Sequence, residues 1–341
     1  MKEGFRLALV GSDSLRGKEI KNLLDRKTLP LKSFDFFDID VKEEFSKLTE
    51  FKGEPKVVHN LGKNSLDGLD LVFLAADRKT NAKFGSLASS QDFMAIDLSE
   101  TFNEDEKIPL VVAGVNDKLI KSRKPGVIAN PHPVSIFLSH FLQPLAKSFG
   151  LVRVLAFILE PASVHEEAGI EELAGQSVAM LNSTAMPRKV FKEQLAFNLL
   201  CREGVVEKDD LQSLEKRIVS EVRRVMKKPG LPLSLSLVQV PVFHTYSMMI
   251  FLELKKSADI PALKKLFEKS AYFNIFSSRA SLPSSSVSVA GKDQIHIGPI
   301  RKEESFPHSF WIWAVADNLT RGSAVNALEI AERVFSLTEQ A

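Results

Sequence analysis

The first 130 residues alternate short apolar runs with longer amphipathic segments, and this alternation constrains the fold more than any other feature. The apolar runs have the length of buried strands, and residues 14–27 and 80–91 carry apolar side chains at helical spacing. Strands that are apolar on both faces and separated by helices are typical of a parallel, doubly wound α/β sheet. The predicted strands are FRLALV (5–10), FDFFDI (34–39), LDLVFLAA (69–76), FMAIDL (93–98), PLVVAGV (109–115) and GVIAN (126–130).

Beyond residue 150 the predicted strands become longer, and several of them alternate apolar and polar side chains. Such alternation indicates a sheet with two unlike faces, which is more typical of a mixed or antiparallel sheet. We therefore expect an α+β second domain with a mixed sheet, and an exposed loop at the serine-rich segment 277–293. The predicted strands are 151–160, 231–242, 247–255, 293–300 and 309–317, and the predicted helices are 165–182, 209–227, 259–269 and 322–337.

The composition is ordinary for a globular protein and gives no support for a nucleic-acid or membrane partner. The 341 residues are 44% hydrophobic and 26% charged, and 45 basic against 43 acidic residues leave a net charge of +2. No apolar run has the length of a signal peptide or a transmembrane helix. The single cysteine, Cys201, excludes an intramolecular disulfide framework, so we expect a cytoplasmic protein.

A glycine-bearing turn, GSDSLRG, lies between the first predicted strand and the first predicted helix. This arrangement is typical of a dinucleotide site, where helix N–H groups bind the pyrophosphate. Gly11 and Gly17 hold the first and last glycine positions, but Ser14 replaces the middle glycine and Asp13 places a carboxylate where phosphate would lie. The candidate cofactor residues of this turn are Gly11, Ser12, Asp13, Ser14 and Gly17.

Two acidic residues, Asp38 and Asp40, follow the second predicted strand. Their spacing from the glycine turn suits a carboxylate that binds the ribose of the cofactor, and this favours NAD over its 2′-phosphorylated form. The alternative interpretation is a tight turn kept for packing, with both aspartates as ordinary loop residues. The residues alone leave these two interpretations open.

The segment VIANPHPVS, residues 127–135, predicts a buried strand that leads directly into a helix. A helix N-terminus favours a reactive anion, because its N–H groups and its dipole stabilise negative charge. The residue at this position is Pro133, which offers no nucleophile, no proton and no N–H. Proline is well tolerated in the first turn of a helix, so the junction suits a helix start without chemistry.

Several strings in this order and spacing resemble the aspartate-semialdehyde dehydrogenase family. That resemblance implies a Rossmann-type domain at 1–130 together with 318–341, and a catalytic-like, dimer-forming domain at 131–317. It also implies the reduction of aspartyl phosphate with NADPH through a cysteine thioester, a step of amino-acid biosynthesis, and it assigns Asn318 to the cofactor site. The strings are PLVVAGVN, GVIANP, GIEELAGQS, QLAFN, VQVPVF, AGKD, HIGPIR, WAVADNL and RGSAVNALEIAE.

The resemblance also implies that the reacting groups are missing. Asn130 matches the family's Asn-Pro-x-Cys junction, but Pro133 occupies the position of the cysteine. The glutamine that lies beside the thioester falls at Glu160, and the acid/base histidine falls at Tyr246. A tyrosine with a reference pKa near 10 is a poor substitute for histidine.

The positions that would bind the anionic substrate are altered too. The substrate-binding arginine falls at Gln239, and the arginine of the phosphate pocket falls at Asn103. A Glu-x-x-Lys pair of the family falls at Leu214 and Arg217, and Arg217 keeps a charge that can meet a phosphate. The resemblance therefore implies an intact fold with a degenerate site.

From these features we expect a homodimer that is a non-catalytic binding or regulatory paralogue, with weak affinity for NAD or NADP or for a small anion. The alternative is a divergent NAD(P)-dependent semialdehyde dehydrogenase that uses His244 or Cys201, and a third hypothesis is a mixed dimer with an active subunit. Cys201 is interpreted as a packing residue, and Ser135 is expected to bond backbone at the helix start. No metal is expected, because the HEE string at 165–167 has no second His or Cys at ligand spacing.

Overall fold

The computed structural model describes residues 4–27, 29–39, 41, 47–120, 125–201, 211–276 and 284–339. The chain divides into two compact units. Unit 1 comprises Met1–His132 and Ser323–Ala341, and unit 2 comprises Pro133–Gly322. No helix within the described ranges is long and apolar enough to cross a membrane.

Unit 1 is built on a seven-stranded sheet in the order β3-β4-β2-β1-β5-β6-β7. All neighbouring strands are parallel except β3 and β4, which form an antiparallel hairpin at one edge. The predicted doubly wound α/β sheet is therefore confirmed. The strands are β1 (Phe5–Val10), β2 (Leu31–Asp38), β3 (Lys47–Phe51), β4 (Glu54–Asn60), β5 (Leu71–Leu74), β6 (Met94–Asp97) and β7 (Gly126–Ala129), and the helices are α1 (Leu15–Arg26), α2 (Arg78–Gly85) and α8 (Val325–Glu339).

The C-terminal helix α8 belongs to the core of unit 1. It packs with α1 beside the sheet, and the rings of Phe5 and Phe335 stack with their centroids 3.9 Å apart. Asn326 of α8 also reaches the segment before β7: its Oδ1 accepts from the backbone N–H of Ala113 at 2.9 Å, and its Nδ2 donates to the carbonyl of Val111 at 3.0 Å.

Those two hydrogen bonds explain why the prediction of a strand at 109–115 is wrong. The segment is buried, but its only backbone pairing with a strand in the described residues is the single bridge between Leu110 and Ala129. The side chain of Asn116 bonds the N–H of Val112 and the carbonyl of Leu110, both at 2.9 Å. Because asparagine side chains satisfy this backbone, the segment does not need a neighbouring strand.

Unit 2 is built on a mixed sheet in the order β11-β12-β13-β10-β8-β9, as its alternating strands predicted. The pairs β11–β12 and β8–β9 are parallel, and the other pairs are antiparallel. The strands are β8 (Leu151–Glu160), β9 (Leu233–Gln239), β10 (Tyr246–Leu254), β11 (Phe273–Ile275), β12 (Ile295–Glu303) and β13 (Ser309–Ala316), and the helices are α3 (Pro133–Ser148), α4 (Glu166–Asn182), α5 (Leu211–Met226), α6 (Ile260–Glu268) and α7 (Ser286–Val289).

Helices cover one face of this sheet. Helix α5 packs on β9, α6 packs on β11 and β12, and α3 packs on both α5 and α6. The serine-rich segment differs from the predicted loop, because α7 begins with Ser285 as its N-cap and the side chain of Ser288 completes a capping box. Residues 277–283 of that segment, and 209–210 of the predicted helix at 209–227, lie outside the described residues.

Candidate functional site

The glycine turn of unit 1 has the close approaches that its two glycines predicted. Gly11 has a φ of 88°, and a Cβ at this position would lie 2.5 Å from the backbone nitrogen of Ala76. A Cβ on Gly17 would lie 2.1 Å from the carbonyl oxygen of Gly11, so the start of α1 can approach β1 only without a side chain there.

Ser14 is the N-cap of α1. Its hydroxyl accepts from the backbone N–H of Gly17 at 3.0 Å and donates to the carbonyl of Gly11 at 2.9 Å. A serine cap satisfies one of the N–H groups that a bound phosphate would otherwise use. The turn therefore keeps the shape of a dinucleotide site while its own side chain occupies part of the helix N-terminus.

Asp38, the last residue of β2, is joined to the same turn. Its Oδ2 accepts from the hydroxyl of Ser12 at 3.3 Å and lies 2.7 Å from Nζ of Lys47. The same Lys47 nitrogen lies 2.8 Å from Oδ2 of Asp13. Asp13 is thus ion-paired with Lys47, a contact that the sequence did not predict. Asp40 lies outside the described residues.

Lys47 is the residue of this cluster that sequence reasoning missed. It begins β3, the edge strand that was not predicted because it is short and carries several charged side chains. Burial lowers the pKa of Lys47, but hydrogen bonds to Asp13 and Asp38 outweigh burial, so its pKa is raised above the ordinary value. A signal was available in the pair Lys52-Gly53, since a glycine is typical of a two-residue hairpin turn and both residues have a positive φ.

Asn103 and Asn130 are the other candidate residues of unit 1, and both are buried. Asn103 lies in the turn after β6 that the carboxylate of Asp97 organises, since that carboxylate accepts from the N–H of Ser99 at 3.0 Å and of Thr101 at 2.8 Å. The Oδ1 of Asn130 accepts from Nδ2 of Asn326 at 2.7 Å.

In unit 2, Pro133 is the first residue of α3, as its missing N–H predicted. The proline side chain occupies space next to Gly322, where an added Cβ would lie 2.6 Å from Cβ of Pro133 and 2.8 Å from the ring of Phe137. Phe137 also contacts Tyr246, with ring centroids 6.3 Å apart in an edge-to-face arrangement.

Three residues that the resemblance assigns to the site, Glu160, Gln239 and Tyr246, form one buried hydrogen-bonded cluster. Glu160 ends β8, and its register partner Gln239 ends the neighbouring strand β9. Tyr246 begins β10 on the other side of β8, and its hydroxyl donates to Oε1 of Glu160 at 3.0 Å. The side chain of Gln239 donates to the backbone carbonyl of Glu160 at 2.9 Å. The sheet therefore brings together three residues that are far apart in sequence.

His244 is half-buried and lies before β10, in the irregular segment after β9. Strand alternation does not relate His244 to Tyr246, because Thr245 has a φ of 74° and interrupts the extended backbone. Arg217 is half-buried on α5, and the carboxylate of nearby Glu215 accepts from the N–H of Leu237 at 2.7 Å.

Asn318, which the resemblance assigned to the cofactor site, is buried and holds two segments of unit 2 together. Its Nδ2 donates to the hydroxyl of Ser163 at 3.0 Å, and its Oδ1 accepts from the N–H of Thr245 at 3.2 Å. These contacts give the side chain a structural role in the unit.

Two interpretations of possible nucleophiles are corrected. Cys201 is exposed, so it is not a packing residue. The hydroxyl of Ser135 is fully buried and has no hydrogen-bond partner in the described part of the chain, so it does not bond the backbone at the start of α3. No cluster of three His, Cys, Asp or Glu side chains with metal-site geometry occurs among the described residues.

Comparison with known proteins identifies both parts of the chain. Residues 6–123 match the NAD binding domain of semialdehyde dehydrogenase, and residues 142–321 match the semialdehyde dehydrogenase dimerisation domain. An aspartate-semialdehyde dehydrogenase of Aquifex aeolicus is 28% identical over 336 residues, which cover 96% of this chain and 97% of the relative.

Solved structures of similar proteins match almost the whole chain. Aspartate semialdehyde dehydrogenase II from Vibrio cholerae, complexed with ASA, is 26% identical with a TM-score of 0.90 and covers 98% of this chain and 99% of its own. The Candida albicans enzyme with NADP shares the fold at 13% identity and a TM-score of 0.71, covering 98% of this chain and all of its own. The chain therefore belongs to the semialdehyde dehydrogenase family, among relatives of the aspartate-semialdehyde dehydrogenase type.

Proposed function

We propose that this chain is an aspartate-semialdehyde dehydrogenase-like protein that does not catalyse the family's reaction and acts as a binding or regulatory paralogue. The observation that carries the proposal is the hydrogen bond between Tyr246 and Glu160 at the carboxyl end of β8. It joins the position of the acid/base histidine to a carboxylate, in the same unit whose helix α3 begins with Pro133 instead of a cysteine.

The physical argument concerns charge and proton transfer. A thioester route needs a thiolate, an acid/base group and cations for an anionic substrate. Tyr246 is fully buried, and its hydroxyl already donates to the carboxylate of Glu160. Gln239 is neutral where the resemblance implies an arginine, so a substrate carboxylate would meet no positive charge from that position.

We infer weak binding of NAD or NADP at the turn of unit 1. The matched NAD binding domain and the two closely packed glycines support a nucleotide site. Ser14 already accepts from the N–H of Gly17, and Asp13 is paired with Lys47, so the charge of this lysine is not free for a phosphate. Both effects lower the affinity for a dinucleotide.

The alternative proposal is a divergent NAD(P)-dependent semialdehyde dehydrogenase with a substitute reacting group. The exposure of Cys201 is the observation that favours it, because an exposed thiol can react with a small electrophile. His244 is the second candidate, and its half-buried position leaves the ring partly accessible.

An activity assay separates these two proposals. Purified protein mixed with aspartate semialdehyde, phosphate and NADP should give no absorbance change at 340 nm beyond the uncatalysed background. An active aspartate-semialdehyde dehydrogenase in the same buffer is the positive control. Turnover that disappears in a Cys201→Ser or His244→Ala variant would contradict the non-catalytic proposal and identify the substitute group.

We also propose that the chain forms a homodimer through the face of the mixed sheet that carries Phe157 and Leu155. Phe157 is 51% exposed on β8, and its register neighbour Met249 on β10 lies between it and the half-buried Trp313 on β13. Leu155 is 36% exposed and pairs in the same way with Phe251. An apolar strip of this kind is unusual on a monomer, and the matched dimerisation domain supports a second copy as its partner.

Light scattering tests this prediction, and the expected mass is twice 37.9 kDa. Phe157→Asp should shift the mass towards the monomer, because it places a charge in the apolar strip. Val57→Asp is the matched control, since Val57 is 48% exposed on a strand of unit 1 and should leave the dimer intact. A monomeric wild-type protein at micromolar concentration would refute the proposal.

A further inference from the structure

Asp13, Lys47 and Asp38 form a small ionic cluster beside the glycine turn. The ammonium of Lys47 bridges the two carboxylates at 2.8 and 2.7 Å, and the hydroxyl of Ser12 also donates to Asp38. Side-chain exposure falls from 56% at Asp13 to 35% at Lys47 and 14% at Asp38. Asp38 is therefore the sheltered member, and Lys47 and Asp13 lie on its solvent side.

The location of the cluster suggests what it recognises. In parallel sheets of this type, a carboxylate at the end of the second strand accepts hydrogen bonds from the adenosine ribose, whereas a cation there accommodates a 2′-phosphate. This chain places both kinds of group at that position: Asp38 ends β2, and Lys47 begins the edge strand β3. The ligand preference therefore depends on whether the charge of Lys47 is free.

The charge of Lys47 is already neutralised. Two carboxylates lie within 2.8 Å of its nitrogen, so the three side chains together carry a charge of about −1. The ammonium of Lys21 on α1 is bonded to the hydroxyl of Thr49 and interacts with both Asp13 and Asp38, so it brings the local charge to about zero. A dianionic 2′-phosphate would therefore meet no net positive charge, while a ribose with a free 2′-hydroxyl would meet an oriented acceptor.

We propose that Asp13 and Lys47 are specificity-determining residues: Lys47 orients Asp38 for an adenosine ribose with a free 2′-hydroxyl, and Asp13 neutralises Lys47 and so excludes the 2′-phosphate. Within the described residues the side-chain contacts of Asp38 use Oδ2, so Oδ1 is the acceptor for the ribose. Lys47 holds Asp38 in place, and Asp13 keeps the charge of Lys47 neutralised. This inference rests on the proposed nucleotide affinity and adds the ligand class and the residues that select it.

Calorimetric titration of NAD and of NADP into three variants tests the proposal. Asp13→Asn leaves Lys47 with one carboxylate. The affinity for NADP should therefore rise about two- to fivefold relative to the affinity for NAD, which is the effect of one partly exposed ion pair. Lys47→Met removes the cation, so the affinity for NADP should fall relative to the affinity for NAD. The affinity for NAD should also fall, because Asp38 loses the contact that orients it. Asp25→Asn is the control, because it makes the same change of net charge at an exposed position of α1.

If charge selects the ligand, the ratio of NADP affinity to NAD affinity should rise in Asp13→Asn and fall in Lys47→Met. Both changes should become smaller as the salt concentration is raised. Parallel losses of both ligands in both variants would show a purely structural role and overturn the inference alone. If neither nucleotide binds any variant at millimolar concentration, the proposed nucleotide affinity fails and this inference fails with it. Turnover in the semialdehyde assay would overturn the non-catalytic proposal and leave the ratio test valid.

Discussion

Replacing Glu172 by alanine should destabilise unit 2 by about 3–5 kcal/mol, the scale of losing a buried, fully hydrogen-bonded charge. The carboxylate of Glu172 accepts from three consecutive backbone N–H groups, those of Lys189, Val190 and Phe191, at 2.6, 2.7 and 2.9 Å. Each charge-assisted bond contributes roughly 1.5–3 kcal/mol. Alanine would leave these donors without their acceptor.

A second side chain of α4 reinforces the same segment. The Oε1 of Gln176 accepts from the N–H groups of Leu195 and Ala196 at 2.6 and 3.0 Å, and its Nε2 donates to two carbonyls. Phe191, Leu195 and Ala196 then pack in a small apolar cluster with Leu173 of α4. The GIEELAGQS string is therefore a structural clamp, in which α4 fixes an otherwise irregular segment.

Urea denaturation followed by tryptophan fluorescence measures this effect, because Trp311 and Trp313 lie on β13 of the same unit. Glu171→Ala is the matched control: Glu171 is exposed one residue earlier on α4, and its loss should change stability by less than about 0.5 kcal/mol. Glu172→Gln should lose part of the stability, since an amide oxygen still accepts. Equal effects of the two alanine substitutions would show that the clamp does not stabilise the unit.

Strands β1, β5, β6 and β7 of unit 1 were predictable because each of them is a short apolar run. The glycine turn was predictable for the same local reason, since Gly11 and Gly17 are needed where backbone approaches backbone. The hairpin β3–β4 was not predicted, because an edge strand exposed on one side tolerates charge and carries little periodic signal. Lys47 was missed along with it.

The segment at 109–115 shows the opposite failure. It is apolar and buried like a strand, but Asn116 and Asn326 satisfy its backbone in place of a strand neighbour. One of these residues is more than two hundred positions away, as the Asn326–Ala113 bond shows. A pattern of hydrophobicity cannot distinguish a backbone paired with a strand from one paired with side chains.

The residues that the resemblance assigns to the reacting site also appear differently in the structure. In the sequence they are separate substitutions, each compared with a family residue. In the sheet, the carboxylate of Glu160 accepts from the hydroxyl of Tyr246, and the backbone carbonyl of Glu160 accepts from the side chain of Gln239. Because Tyr246 and the Glu160 carboxylate share one buried hydrogen bond, changing either residue alone disturbs the other.

That coupling shapes the expected result for Pro133→Cys. Introduced alone, in a Cys201→Ser background, the new thiol should react faster with iodoacetamide than Cys201 of the unmodified protein. Residue 133 is the first residue of a sixteen-residue helix, and a helix N-terminus favours the thiolate. The alkylation rate, measured by mass spectrometry between pH 6 and 9, should reveal a thiol pKa below the ordinary value.

Dehydrogenase activity of this single variant should nevertheless stay at background. Gln239 supplies no positive charge for a substrate carboxylate, and Tyr246 remains bonded to Glu160 instead of managing protons. The loss of an acid/base group alone costs on the order of 10²–10⁴ in rate. A reactive thiol without turnover would show that the start of α3 favours a thiolate while the groups needed for turnover are missing.

Turnover should require Pro133→Cys together with Glu160→Gln, Gln239→Arg, Tyr246→His and Asn103→Arg. Glu160→Gln and Tyr246→His must be introduced together, because Tyr246→His alone removes a donor from a buried carboxylate and should lower stability. The combined variant without Pro133→Cys is the control, since it rebuilds the charges but has no nucleophile and should stay inactive. All variants are compared in one NADP-coupled assay after their folding is checked by circular dichroism. Clear turnover by the single Pro133→Cys variant would show that this chain retains working acid/base and binding groups, and would contradict a degenerate site.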